Sequence, residues 1–367
     1  MVYSFKHSFV ITASLFLFIC LCAINVLGKD VRAIRADGEV GLVTIDSYEL
    51  PISSLLSDES KLSAAKQNQR WQDITKLCFE NKSVKESREC YNKGLQPLVE
   101  NHTKRFDVDI KSRVISGVSV EEFTPRLGVP LENKNRVLIN LHGGGFIYGG
   151  GTAGQIESIP IAGLGKLKVI SVDYRKAPEA QFPAATEDVV LVYKELLKQY
   201  KSSQIGIYGC SAGGYLVAQA VASIDHMGLP QPGGIGMLCA GASDYRRSDA
   251  FQVVARIERF PMPVDMLNPY KNDPYLGEAD INSVFVFPVN DPNLLSRFPP
   301  SILVSSVRDL ALSSTVYTHS QLVKNGAQSE LHVWEGFRHC FFYDSSIPES
   351  NEVYVVVVNF FDKQLSH

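Results

Sequence analysis

From about residue 105 onward, short β-branched runs alternate with longer amphipathic stretches, and this alternation constrains the fold more than any other feature. VLINL (137–141), VISVDY (169–174), IGIYG (205–209), GIGMLCA (234–240), SILVSSV (301–307) and LHVWEG (331–336) are apolar runs of strand length. Runs without polar alternation suit strands buried on both faces of a parallel sheet. Between them, AATEDVVLVYKELLKQY and AGGYLVAQAVASI carry apolar residues three and four apart, as a half-buried helix does. EVYVVVVNFFDKQL predicts a closing helix despite its valines. RFDVDI and VSVEEFTP alternate with period two and predict two antiparallel edge strands. The pattern predicts an α/β fold, a mostly parallel central sheet flanked by helices. Residues 242–300, rich in Pro, Asp and Asn, break the rhythm and read as an insertion. Residues 29–104 are polar with helical spacing, SKLSAAKQNQRWQDITKLC being one such stretch.

GCSAGG (209–214) lies between the strand IGIYG and the helix AGGYLVAQAVASI. Six small residues mean little alone. A G-x-S-x-G between a strand and a helix predicts a nucleophile elbow, with Ser211 exposed on a tight turn. A plain glycine turn is the rival reading. A second cluster, HGGGF (142–146), follows VLINL directly. Glycines let bare N–H groups approach a developing oxyanion, so Gly144, Gly145 and the N–H of Ala212 are the candidate oxyanion hole. A phosphate loop is the alternative, but neither G-x-x-x-x-G-K-[ST] nor a well-formed G-x-G-x-x-G is present. Gly149, Gly150 and Gly151 are a candidate mobile rim, and Phe146, Tyr148 and Tyr174 candidate pocket walls.

A serine nucleophile needs a base, itself oriented by a carboxylate. Asp309 and His339 each follow a predicted strand, so both fall on the same rim of the sheet as Ser211, in the order Ser, Asp, His. His226 and His319 sit on predicted helices and His332 inside a strand. Asp344 and Glu335 are the nearest alternative acids.

The first residues differ from the rest. Lys6 and His7 precede an apolar stretch from Phe9 to Leu27. Residues 1–28 therefore read as a signal peptide, with an uncleaved membrane anchor as the alternative. Either way the body of the protein leaves the cytosol, secreted, periplasmic or anchored. Cys78 and Cys90 flank a helical-looking stretch and are a candidate disulfide, two free thiols being the rival. Cys210, Cys239 and Cys340 read as small buried fillers, and a Cys210–Cys340 disulfide is disfavoured. Asn81 and Asn101 head glycosylation sequons. The formal charge of −3 offers no basic excess for phosphates, which argues against nucleic acid.

HGGGF, DYRKAPEAQFPAA (173–185), GCSAGG, VRDLALSS and HVWEGFRHCFF, in this order over roughly residues 105–365, resemble the hormone-sensitive lipase family of α/β-hydrolases. The resemblance implies an α/β-hydrolase fold with a helical cap, the hydrolase domain over 105–367. It implies that the N-terminal region 29–104 and the insertion 242–300 form that cap. It implies catalytic roles for Ser211, Asp309 and His339, and an oxyanion hole from the HGGG glycines and Ala212. The implied activity is a serine carboxylesterase acting on short- to medium-chain esters. A lactonase, amidase or deacetylase on the same triad, a peptidase or a non-catalytic small-molecule-binding homologue are the alternatives. The implied partner is a small-molecule ester, with membrane association only if the N-terminal segment is retained, and no cofactor or metal is implied. The chain departs from the family pattern at Cys210, where Asp is usual, at Leu310, where Pro is common, and at Lys176, where Leu is.

Overall fold

The strand runs assemble into one eight-stranded sheet with the order β1-β2-β4-β3-β5-β6-β7-β8. The computed structural model describes residues 51–79, 82–257 and 269–366, of which those from Ile52 on form one compact unit. The predicted signal segment 1–28 and the sequon at Asn81 lie outside the described residues. Strands β1 (Val108–Ile115) and β2 (Val118–Pro125) form an antiparallel hairpin, and β2 pairs antiparallel with β4 (Lys168–Val172). The other strands, β3 (Val137–Leu141), β5 (Ile205–Cys210), β6 (Gly234–Leu238), β7 (Ser301–Arg308) and β8 (Ser329–Arg338), run parallel.

Every residue of β3, β5 and β6 is buried, which is why their sequences show no polar alternation. Helices cover both faces: α3 (Thr152–Gly165), α4 (Ala184–Leu196), α5 (Ala212–His226), α7 (Leu312–Lys324) and α8 (Pro348–Gln364), preceded by α1 (Asp58–Cys78), α2 (Val84–Arg105) and, between β6 and β7, α6 (Asp249–Ile257). The valine-rich end of the chain is helical because Val353, Tyr354, Val357, Phe360 and Phe361 form one buried stripe at helical spacing. Each such side chain contributes about 1.5–3 kcal/mol on burial, which outweighs the small helix penalty of valine. Among the described residues no helix is long and apolar enough to cross a membrane.

The stretch between Cys78 and Cys90 departs from its helical reading. Helix α1 ends at Cys78, and α2 begins only after the Ser83–Glu86 capping box. The two cysteines are disulfide-bonded across this helix junction. Arg88 then fastens α2 to the sheet side, donating from Nε to the Ile147 carbonyl (2.7 Å), from Nη2 to the Ala177 carbonyl (2.7 Å) and to Glu179. Asn101 lies inside α2 with its amide bonded to Ser345 Oγ (3.3 Å), so that sequon sits on a packed helix, not a loop.

Candidate active site

The loops that follow β3, β5, β7 and β8 meet at the carboxyl edge of the sheet, where open α/β sheets place ligands. The predicted site residues lie on those loops. Ser211 follows β5 and caps α5, with φ 57° and ψ −124°, a conformation a non-glycine residue holds only under constraint from its surroundings. The constraint is visible: the Ser211 N–H is anchored to the Leu238 carbonyl (2.8 Å), and its own carbonyl accepts from Tyr215 N–H. The turn can be this tight only because residue 213 is glycine. A Cβ there would overlap the Leu141 carbonyl at the end of β3.

His339 Nε2 lies 2.8 Å from Ser211 Oγ, and Nδ1 lies 2.6 Å from Asp309 Oδ1. A carboxylate only accepts, so Nδ1 carries a proton and Nε2 is left to accept the serine proton. Asp309 is fully buried and also accepts from the Ala311 N–H (2.9 Å) and Ser305 Oγ (2.7 Å). Burial opposes its charge, but the His339 imidazole and these two donors outweigh it and hold the carboxyl below its ordinary range. Of the alternative acids, Glu335 is exposed on β8, and Asp344 caps Ser346.

Gly144 (φ 123°) and Gly145 (φ 62°) follow β3 in left-handed conformations. At Gly144 a side chain would also strike the Tyr148 carbonyl. The loop is braced from beneath. His142 stacks on Tyr174 at 4.2 Å, donates from Nδ1 to the Gly143 carbonyl (2.8 Å), and its own carbonyl accepts from Tyr174 Oη (2.6 Å). Burial lowers the His142 pKa, against the raising effect of Asp173. Gly144, Gly145, Ser211, Ala212 and His339 all line one cavity of about 280 Å³. Its walls are aromatic, Trp71, Phe79 and Tyr91 from α1–α2 and Tyr245, Tyr270 and Tyr275 from the segment between β6 and β7. Phe146 and Tyr148 line it as predicted. Tyr174 does not: it is buried under His142. Gly149, Gly150 and Gly151 do not line the cavity: Gly149 packs against the Gly143 carbonyl, Gly150 against Asp173, and Gly151 (φ 77°) is the N-cap of α3 with open space at its Cβ position.

The cysteines require a correction. Cys210 and Cys340, disfavoured as a pair by the sequence, are disulfide-bonded. Sequence alone did not show that the elbow after β5 and the loop after β8 converge, which puts the neighbours of Ser211 and His339 side by side. Cys239, buried and free, accepts the Cys340 N–H at 3.3 Å. Closing a loop of 130 residues is expected to contribute about 2–4 kcal/mol. The Cys210→Ala/Cys340→Ala double variant should therefore melt about 5–15 °C lower. Peptide mapping without reductant should recover a linked Cys210–Cys340 peptide, and alkylation of both thiols in that experiment would refute the bond.

One residue escaped the sequence reading altogether. Glu157 is buried below the site, accepting from four donors. The signal was present: it is the one charged side chain in the helix TAGQIESIPIAGLG.

Comparison with known proteins agrees with this architecture. A family model described as the alpha/beta hydrolase fold matches residues 138–343. An acetyl-hydrolase of Streptomyces hygroscopicus is 30% identical over 138 residues, 35% of this chain and 46% of that protein. The chain thus spans less than half the length of the curated relatives it matches. Among solved structures, that of an esterase, E25, superimposes with a TM-score of 0.75 at 29% identity, covering 88% of this chain and 98% of that one. An esterase from the bacterial hormone-sensitive lipase family shares the fold with a TM-score of 0.71 at 23% identity, covering 82% and 98%.

Proposed function

Because the chain belongs to the alpha/beta hydrolase fold family and resembles its hormone-sensitive lipase branch, we propose that it is a serine carboxylesterase. One observation carries the reading: the relay from Asp309 Oδ1 through His339 to Ser211 Oγ, with links of 2.6 and 2.8 Å, on an aromatic-lined cavity. In this mechanism His339 takes the Ser211 proton as Oγ attacks the ester carbonyl. The N–H groups of Gly144, Gly145 and Ala212 receive the oxyanion, each worth on the order of 3 kcal/mol in the transition state. The protonated imidazole then gives its proton to the departing alcohol. Water, activated by the same histidine, hydrolyses the acyl-enzyme. Asp309 keeps the imidazole in the right tautomer and stabilises its charge throughout.

The cavity volume favours short- to medium-chain acyl groups, and helices α1 and α2 with residues 245–257 and 269–287 act as the cap over them. The name of the Streptomyces relative favours an acetyl group as the acyl part, which makes a deacetylase the second reading. Two disulfides fit an oxidising compartment, in line with export by the N-terminal segment. The test is a p-nitrophenyl ester series from acetate to palmitate. Turnover is expected to peak at acetate to hexanoate and to fall at least about tenfold by palmitate, as a cavity below the usual 300–1,000 Å³ requires. A peak at palmitate would refute the short-chain reading, and no turnover with folded protein would refute the esterase.

A further inference from the structure

Glu157 occupies a place in the fold that the triad does not explain. It projects from α3 into the space where the three site loops converge, and it is buried. Oε1 accepts from the Gly143 N–H (2.8 Å) and from Tyr343 Oη (2.5 Å). Oε2 accepts from Asn140 Nδ2 (2.9 Å) and from the Cys210 N–H (3.2 Å). Each partner has a meaning for the chemistry. Gly143 precedes Gly144, Cys210 precedes Ser211, and Tyr343 ends the turn that begins at His339. Asn140 is on β3 and is held in turn by the Ser171 hydroxyl (2.8 Å).

We propose that Glu157 is the positioning residue of this site: one carboxylate holds the oxyanion loop, the nucleophile elbow and the histidine loop in mutual register. It acts through Gly143, Cys210 and Tyr343 and touches no reacting atom. The inference rests on the esterase reading above. Its chemistry is specific to a carboxylate. Two of the four donors are backbone N–H groups, which cannot turn to accept, and they sit on different oxygens. A glutamine offers one accepting oxygen and one NH₂, so whichever way it turns, a donor faces a backbone donor. Cys210 fits the same logic. With the carboxylate delivered from α3, the position before the serine need not supply one.

The charge state follows from the surroundings. Burial raises the Glu157 pKa to about 7, against the lowering effect of Tyr343, Gly143, Asn140 and Cys210. The titratable groups that feel its charge are Tyr91 on α2, Tyr174 after β4, Tyr208 on β5, Tyr343 and the Cys239 thiol, all neutral near pH 7. The ionised form, which can serve all four donors, is therefore lost as pH falls through about 7. Stability runs the other way. A raised pKa means that the folded state holds the proton more tightly than the unfolded chain, so this contribution is full at low pH and fades as pH rises through about 7.

The experiment measures kcat, KM and the acid limb of kcat/KM on a p-nitrophenyl ester for the full chain and three variants. In Glu157→Gln, kcat should fall about 10²-fold, the cost of displaced catalytic groups, with KM within about threefold. The acid limb of the unsubstituted protein should contain the loss of the ionised Glu157 as pH falls through about 7, and in Glu157→Gln that contribution should disappear. Glu157→Asp, which keeps the charge, should recover at least about tenfold of the lost kcat. Tyr343→Phe removes one donor and should move the limb to higher pH, and it serves if Glu157→Gln does not fold. Glu157→Gln activity within threefold of the unsubstituted protein and an unchanged limb would overturn the proposal while leaving the esterase intact. So would a limb unmoved in Tyr343→Phe. A full chain that hydrolyses no ester would overturn both readings together, a result distinct from either.

Discussion

Ser211→Ala is expected to lower kcat on a p-nitrophenyl ester by about 10⁵–10⁶-fold with the fold and KM nearly unchanged. The size follows from the geometry. Ser211 Oγ is the hydroxyl placed 2.8 Å from His339 Nε2, and the backbone that holds it is anchored through its own N–H to Leu238, not through the side chain. Removing the hydroxyl therefore leaves the turn standing, the cavity open and the oxyanion donors in place. The residual rate should still exceed water by about 10³-fold, since those donors and substrate binding survive. Adding His339→Ala to Ser211→Ala should cost almost nothing more, because the two groups act as one unit. Initial rates with a stopped-flow check for a p-nitrophenol burst would measure both. A Ser211→Ala variant within about tenfold of the parent would place the chemistry elsewhere.

Gly213→Ala should be the most damaging glycine-to-alanine substitution among the described residues. It adds one methyl, yet that methyl has nowhere to go. It points into the Leu141 carbonyl, a backbone atom at the end of a central strand that is hydrogen-bonded on both sides. Relief requires α5 or β3 to shift, which moves Ser211 or the oxyanion loop. A destabilisation of about 4 kcal/mol or more is expected, with melting lowered by about 10 °C. Residual activity should fall more than about 10²-fold, because both loops that flank the reacting carbonyl are displaced. Differential scanning calorimetry and kcat on the soluble fraction give the two numbers. A variant that melts and turns over like its parent would show that the elbow is not packed as described.

Much of this molecule was legible in the sequence, and the boundary of legibility has a physical origin. The parallel strands could be read because both their faces are buried, so their composition is uniform and distinctive, as VLINL and IGIYG show. The elbow could be read because close backbone approach leaves a mark in the residues themselves: only glycine fits at 213. Asp309 and His339 could be placed on the sheet rim because each follows a strand, and local order then fixes which edge it faces. What could not be read was lateral. Strand order, with β3 between β4 and β5, decides which loops become neighbours, and no local pattern encodes it. Hence the Cys210–Cys340 bond went against expectation, and Glu157 went unnoticed although its donors come from β3, β5 and the turn after β8. The glycine run 149–151 misled for a related reason. Glycine marks tight or left-handed backbone wherever it lies: Gly149 packs against the HGGG loop, Gly150 against Asp173, and Gly151 opens a helix in free space.

Whether Ser211 is a nucleophile activated by His339 is decided by peptide mapping after exposure to a p-nitrophenyl phosphonate ester. A single stoichiometric adduct on Ser211 is expected, formed with release of p-nitrophenol and lost in His339→Ala. No adduct on the folded protein, or an adduct on another residue such as Cys239, would contradict it.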